Sequence, residues 1–444
     1  MTQSKPVPHF GKIPEDYFHY LGPFLAEKYE QYGPIFQGTS TVLGFDITYL
    51  VGPEANRFIM SSNRLKFSHH IGWGKTLGVA DSLGNGLLTM DGAEHDQHRR
   101  MMNPAFTINY MTHYLPIMTR IIAQRMATWL EHGEIDIYDE MRKITFDIAA
   151  EALAGLNAGP EVDTFRNLFV QIVRLRMEMQ GKSAQEFESR RDELRQQLFD
   201  LLLPKIQERR KQPTDDILGM MVQARDDAGQ ALTDEQLIAH TNILLVAGHE
   251  TSTSLGAWLL YLLVENPDYM QRVLVEQSAL LGNNPTCALT LDDIKHMKVL
   301  DNALSEAERL YPPVGNAPRG VVESFEFNGY TVPAETFVYC GIAGSHMIPS
   351  IFADPSRFDP DRFAAPREED KKTPYALVGF GGGPRICIGI NFAQVEIKAM
   401  ASQVLCRYTL QLVPDQQISQ FYHGTGMPLH GIKMQVYERE KTHA

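Results

Sequence analysis

Cysteine is scarce in this chain. Only Cys287, Cys340, Cys387 and Cys406 occur in 444 residues. No two are close enough for a CxxC pair, so neither a zinc cluster nor a redox dithiol is written here. Four scattered cysteines do not make a disulfide scaffold either, and a reducing compartment is expected. Long apolar runs are missing too. The longest, Leu255 to Val264, has about half the length a bilayer crossing needs. Extending it back to Ile243 takes in His249, Glu250 and several hydroxyl residues. Met1 to Tyr20 lacks the apolar core of a secretory signal. These absences predict a soluble, cytoplasmic protein. Basic charge is also in deficit: 41 Lys and Arg against 54 Asp and Glu give a net charge of −13. Such a balance argues against non-specific nucleic-acid binding.

What is present is a chain able to bury a large core, 43% hydrophobic and 21% charged. Length alone suggests roughly three domains. Yet no internal repeat and no low-complexity linker marks a cut. Residues 35 to 51 mix β-branched and aromatic residues with glycine and read as a hairpin. From Glu94 onward the pattern is mostly helical, with apolar residues at three- and four-residue spacing in Phe165 to Met179 and Arg190 to Arg210. Residues 319 to 343 return to strand character, with an Asn328-Gly329 turn between Phe327 and Tyr330. The fold class expected is mainly α with a smaller β region, its sheet assembled from both ends of the chain. One helix stands out. Thr233 with Gln236 forms a capping-box pattern, and no proline follows until Pro267, so the helix runs from Asp234 to about Glu265. It would be roughly 48 Å long. Asn266-Pro267 then opens another helix, with Asn as cap.

Two constellations carry chemistry. The first is Phe380-Gly381-Gly382-Gly383-Pro384-Arg385-Ile386-Cys387-Ile388-Gly389. Its glycines make a tight loop that lets backbone approach a planar ligand. A helical pattern follows, placing Cys387 near a helix N-terminus, where the dipole and free amides favour a thiolate; Arg385 adds positive charge. A buried structural cysteine in a Gly-rich turn is the plainer alternative. A phosphate loop is another, although the Lys-Ser/Thr ending is missing. The second constellation is Ala247-Gly248-His249-Glu250-Thr251-Ser252, midway along the long helix. No cation stands at 246, 247, 253 or 254, and a carboxylate in an apolar stretch is costly, which makes Glu250 a functional candidate. Gly248 costs about 1 kcal/mol in a helix interior relative to Ala, a cost that makes sense if a ligand lies against that turn. A kinked helix with a solvated polar notch is the alternative.

With these residues the chain resembles the cytochrome P450 superfamily, the haem-thiolate monooxygenases. The pattern F-x-x-G-x-R-x-C-x-G is matched by Phe380, Gly383, Arg385, Cys387 and Gly389, and A/G-G-x-D/E-T-T/S by residues 247 to 252. The resemblance implies a P450 fold, a single domain over residues 1–444, and heme b. Its β-rich lobe would come from about residues 30–60 and 319–343 plus C-terminal strands. It implies that Cys387 is the iron ligand and that Ala247 and Phe380 contact the cofactor. Thr251 would help deliver protons to dioxygen, fed by Glu250. Glu306 and Arg309 match the E-x-x-R pair, with Arg362 of Phe358-Asp359-Pro360-Asp361-Arg362-Phe363 completing a structural triad. His95 and Arg99 match the H-x-x-x-R propionate helix, with His98 a competitor, and Arg319 and Arg385 match the other propionate cations.

The implied substrate is lipophilic, met by Ile71, Trp73, Leu77, Leu83, Leu244, Val314 and Met427, although each could be ordinary core. Similarity to eukaryotic-like bacterial members suggests a terpenoid, retinoid or fatty acyl compound. No flavin domain is fused, so electrons from NAD(P)H would arrive through a ferredoxin or flavodoxin with its reductase, docking on Arg100, Lys371, Lys372 and Lys398. A peroxide-driven peroxygenase and a haem-based sensor remain as other readings.

Overall fold

A computed structural model of the chain describes residues 5–156, 159–178, 183–282 and 287–439. They form two compact units. One comprises Met1–Ser68, Met111–Lys143 and Glu250–Ala444; the other comprises His69–Tyr110 and Ile144–His249. The architecture is mainly α with smaller sheets, as the sequence patterns predict.

In the first unit, Ile35–Thr39 and Asp46–Leu50 pair as the expected hairpin, in register from Ile35 opposite Leu50 to Thr39 opposite Asp46. Asp46–Leu50 then pairs in parallel with Phe337–Gly341, which pairs antiparallel with Asn316–Val321. His9–Lys12 and Phe67–Ser68 complete a six-stranded sheet at its two edges. Residues 9–68 and 316–341 therefore meet in one sheet, whereas the C-terminal strands Tyr408–Leu412 and Lys433–Glu438 pair with each other and with Glu134–Asp136 in a separate three-stranded sheet. The six-stranded sheet is held by a cluster that includes Ile35, Leu50, Val321, Val338 and Cys340, all but excluded from solvent. The Phe327–Tyr330 hairpin closes on Asn328 and Gly329 at φ 50 and 80. Two consecutive left-handed residues are what a type I′ turn requires, which explains the Asn-Gly pair.

The long helix spans Asp234–Glu265 and starts as its sequence predicts. The Gln236 amide donates to Thr233 Oγ1 at 3.2 Å, and the Thr233 amide donates to Gln236 Oε1 at 2.9 Å. Residues 234–249 of this helix belong to the second unit and 250–265 to the first. The next helix, Pro267–Leu281, does begin on proline, but Asn266 does not cap it. Its side-chain amide donates instead to the Leu262 carbonyl at 2.8 Å. The orphan carbonyls of the preceding helix compete for the same side chain and win it.

In the second unit, helices Pro160–Glu178 and Ala184–Lys211 carry the two predicted periodic stretches; Met179 lies outside the described residues. Leu194, Leu198, Leu202 and Ile206 form one buried stripe at four-residue spacing. At its end, buried Arg209 donates to Asp216 at 2.8 Å and to the Ala154 carbonyl at 2.9 Å.

The cysteines require a correction. Cys287 and Cys406 are joined by a disulfide, with Cα atoms 6.3 Å apart. They are separated by 119 residues, and spacing along the chain carries no information about such a contact. The case for a reducing compartment from unlinked cysteines therefore lapses. Among the described residues no helix is long and apolar enough to cross a membrane.

Candidate functional site

In the first unit, a tight turn opens the cysteine loop and a longer-range backbone hydrogen bond closes it. The Gly381 amide donates to the Val378 carbonyl at 2.8 Å, and the Cys387 amide donates to the Phe380 carbonyl at 2.8 Å. Gly381 and Gly383 have φ values of 76 and 61. A Cβ on Gly383 would also sit 2.4 Å from the Met60 carbonyl oxygen, so only glycine fits there. Helix Ile390–Arg407 begins three residues after Cys387 and has no acidic residue in its first turn. The positive end of an 18-residue helix therefore lies next to an exposed thiol. A Cβ on Gly389 would approach Cys387 Sγ to 3.9 Å.

Behind this loop the structure brings Glu306, Arg309 and Arg362 together, all excluded from solvent. Arg309 Nε meets Glu306 Oε2 at 2.7 Å, and Arg362 Nε meets the same carboxylate at 3.1 Å. The guanidinium groups also hold backbone. Arg309 donates to the Pro355 carbonyl at 2.7 Å and the His346 carbonyl at 3.0 Å. Arg362 donates to the Ala353 carbonyl at 3.2 Å and to Glu369 at 2.9 Å.

Elsewhere in this unit, Arg319 is buried in strand Asn316–Val321, and Arg385 ends the short turn Gly383–Arg385. Glu250 and Thr251 are half-buried. Val314 packs against the sheet core. Met427 lies in the hairpin strand Thr425–Pro428, where its sulfur accepts from the Tyr138 hydroxyl at 3.8 Å. That hairpin is tied down by the Gly426 amide, which donates to the Pro313 carbonyl at 2.7 Å, and by the Tyr422 hydroxyl, which donates to the Pro312 carbonyl at 2.9 Å.

In the second unit, His95 and Arg99 lie on helix Gly92–Met102. His95 is buried and its Nδ1 lies 2.9 Å from Asp96 Oδ1. The competing His98 is committed elsewhere, with Nδ1 2.8 Å from Nε2 of buried His240. The Leu87 amide donates to His240 Nδ1 at 3.2 Å, so the His240 proton sits on Nε2, facing His98. Burial pushes His240 down to about 3, which keeps it neutral. Leu83 and Leu244 are buried; Ile71, Trp73 and Leu77 are half-buried in and after the turn His70–Thr76. Asn242 donates to the Leu83 carbonyl at 3.4 Å. On the long helix Ala247 is exposed, and a Cβ on Gly248 would meet nothing within 4 Å.

Among the described residues no group of three or more His, Cys, Asp or Glu side chains could cage an ion. An iron here would arrive inside a prosthetic group and take a single thiolate from the protein, and an exposed thiol on a glycine loop fits that need. The cytochrome P450 family profile matches residues 2–436. The chain belongs to the cytochrome P450 family.

Its relatives agree. Cytochrome P450 136 of Mycobacterium tuberculosis is 32% identical over 93% of this chain and 83% of the relative. Cytochrome P450 120 of Synechocystis is 31% identical over 94% and 92%. Among solved structures, retinoic-acid-bound cyanobacterial CYP120A1 aligns with a TM-score of 0.85 at 29% identity, covering 98% of this chain and all of that one. P450s are haem monooxygenases, so this chain is an enzyme of that class.

Within this P450, sequence reasoning misplaced one residue and missed others. Lys398 is not a surface cation: it is buried, donating to Asp301 Oδ1 at 2.6 Å and to the Ile294 carbonyl at 3.1 Å. A lysine midway along a periodic helix gives no sign that an aspartate lies beneath it. Arg100 pairs with Asp227 at 3.5 Å, Lys371 with Glu368 at 2.6 Å, and Lys372 donates to the Pro366 carbonyl at 3.1 Å. Among the missed residues, Glu396 is fully buried on the helix after Cys387, and its oxygens have no hydrogen bond of good geometry among the described residues. The Ser252 hydroxyl lies against it, and burial pushes the Glu396 carboxyl up to about 8. Its only sequence signal is a carboxylate inside an apolar helix face, the same signal that singles out Glu250.

Proposed function

We propose that this P450 inserts one oxygen atom from dioxygen into a lipophilic terpenoid, retinoid or fatty acyl substrate, with Cys387 as the iron's protein ligand. Cys387 carries the reading. It is an exposed thiol at the positive end of a long helix, on a loop that glycine alone can form. Haem bound there would supply the redox chemistry, one oxygen atom entering a C–H or C=C bond and the other leaving as water.

The chain's own residues would do the rest. His95, Arg99, Arg319 and Arg385 would bind the anionic propionates through charge-assisted hydrogen bonds. Ala247 and Phe380 would contact the ring. The Thr251 hydroxyl would pass protons toward the reacting oxygen, and the Glu250 carboxyl would resupply them. Ile71, Trp73, Leu77, Leu83, Leu244, Val314 and Met427 would exclude water and hold an apolar substrate. The retinoic acid bound to a relative of similar fold supports an elongated lipophilic acid as the first compound to try.

Electrons would come from NAD(P)H through a ferredoxin or flavodoxin and its reductase. Such partners are acidic, and Arg100, Lys371 and Lys372 remain as docking cations. Charge reversal at these three should slow electron transfer and leave substrate affinity unchanged; unaltered turnover with the cognate partner counts against them. Substrate class is tested by titrating the ferric protein with retinoic acid and long-chain fatty acids. A spin-state shift in the Soret band is expected, and no shift with any lipophilic compound would overturn the assignment.

A further inference from the structure

Three consecutive amides lead into the cysteine loop, and two buried side chains take all three. The Val378 amide donates to His346 Nε2 at 2.9 Å. The next two amides, of Gly379 and Phe380, donate to the carboxyl of Glu308. Neither acceptor touches solvent appreciably: His346 is 0% exposed and Glu308 is 7% exposed. Contact at Gly379 is so close that a Cβ there would lie 2.5 Å from Glu308 Oε1. Phe380 then uses its carbonyl to accept the Cys387 amide at 2.8 Å. The same residue is therefore held by Glu308 on one side and holds the cysteine on the other. His346 is itself anchored, since its carbonyl accepts from Arg309 Nη1 at 3.0 Å.

Glu308 stands apart from the Glu306–Arg309–Arg362 cluster although it shares a helix with it. Glu306 spends its carboxylate on two guanidinium groups and the Asp359 amide, at 2.9 Å. Glu308, two residues on, faces the loop instead. A carboxyl in so dry a place costs free energy unless its hydrogen bonds matter to the structure. Leucine would fill the same volume without that cost.

We propose that Glu308 is a positioning residue for the metal ligand: by accepting the Gly379 and Phe380 amides it sets the cysteine loop and, through it, the thiolate's coordination of iron. This rests on the assignment of Cys387 as the ligand. Partners of this kind typically change metal or cofactor retention by about 10- to 100-fold when removed.

The test compares Glu308→Gln, which keeps an acceptor oxygen, with Glu308→Leu, which removes it. Four readouts are taken: the ferrous–CO Soret position, the haem midpoint potential, haem loss to an acceptor globin, and hydrogen exchange at the 379 and 380 amides of the haem-free chain. In Glu308→Leu the Soret band should move toward the neutral-thiol position, the potential should shift, haem should leave about 10- to 100-fold faster, and the two amides should exchange faster. Glu308→Gln should stay close to wild type. If Glu308→Leu does not fold, Gly379→Ala takes its place, because its methyl wedges the carboxyl away from the amides. A wild-type spectrum, potential and exchange pattern in the folded variant would overturn the proposal. So would equal damage in Glu308→Gln. If wild type itself lacks the red-shifted band, the ligand assignment fails, while amide exchange still decides whether Glu308 holds the loop.

Discussion

Glu306 carries two guanidinium groups in a place water does not reach. Deleting one partner of a buried ion pair leaves the other uncompensated and typically costs about 3–5 kcal/mol. Glu306→Ala should therefore lower the thermal midpoint sharply. Asp361→Ala, which breaks the exposed Arg272–Asp361 pair at 2.8 Å, should cost less than about 1 kcal/mol. Differential scanning calorimetry of the two variants checks the contrast. Glu396 makes a second prediction. Its folded-state value of about 8 lies above the ordinary 4.5, so its contribution is fully present below the ordinary value and is lost as pH rises through the folded one. Wild type should lose stability relative to Glu396→Gln between those limits, on the order of 1 kcal/mol per pH unit. Equal slopes for the two proteins in denaturant titrations would contradict it. At this scale the sequence exposed Cys387 and the Glu306–Arg309 spacing, because fixed spacing is a local property. It did not expose Glu308, His346 or the 287–406 disulfide, whose partners are set only by folding.

The helices and hairpins were the most legible level. The long helix begins at Asp234 because Thr233 and Gln236 cap each other, and the Asn328-Gly329 turn forms because both residues accept left-handed φ. Asn266 was misread because a capping side chain can serve the helix behind it as well as the one ahead. Two predictions belong here. Thr251→Ala should lower product formation by roughly 10²-fold, the usual worth of a positioned proton donor, while haem content and CO binding stay unchanged; intact turnover would remove Thr251 from the proton path. The disulfide ties Cys406, at the end of the helix that follows Cys387, to Cys287. Peptide mapping without reductant should recover the linked pair, and Cys287→Ser should cost about 2–4 kcal/mol of stability. Recovery of both cysteines alkylated would contradict the link.

For the whole molecule, the net charge of −13 concealed buried cations such as Arg309, Arg319 and Arg362 that work inside the fold. Composition cannot distinguish a lysine that docks a partner from Lys398, which is fastened to Asp301. The family was legible because its motifs are short and ordered. The substrate was not, since apolar lining residues look like core residues in any sequence. The central claim is that Cys387 gives iron its thiolate, and the absorption spectrum of the dithionite-reduced, CO-saturated protein tests it most directly. Wild type should show the red-shifted Soret band of thiolate-ligated haem, and Cys387→Ser should lose it while remaining folded. A wild-type spectrum without that band, or a Cys387→Ser variant that keeps it, would contradict the account.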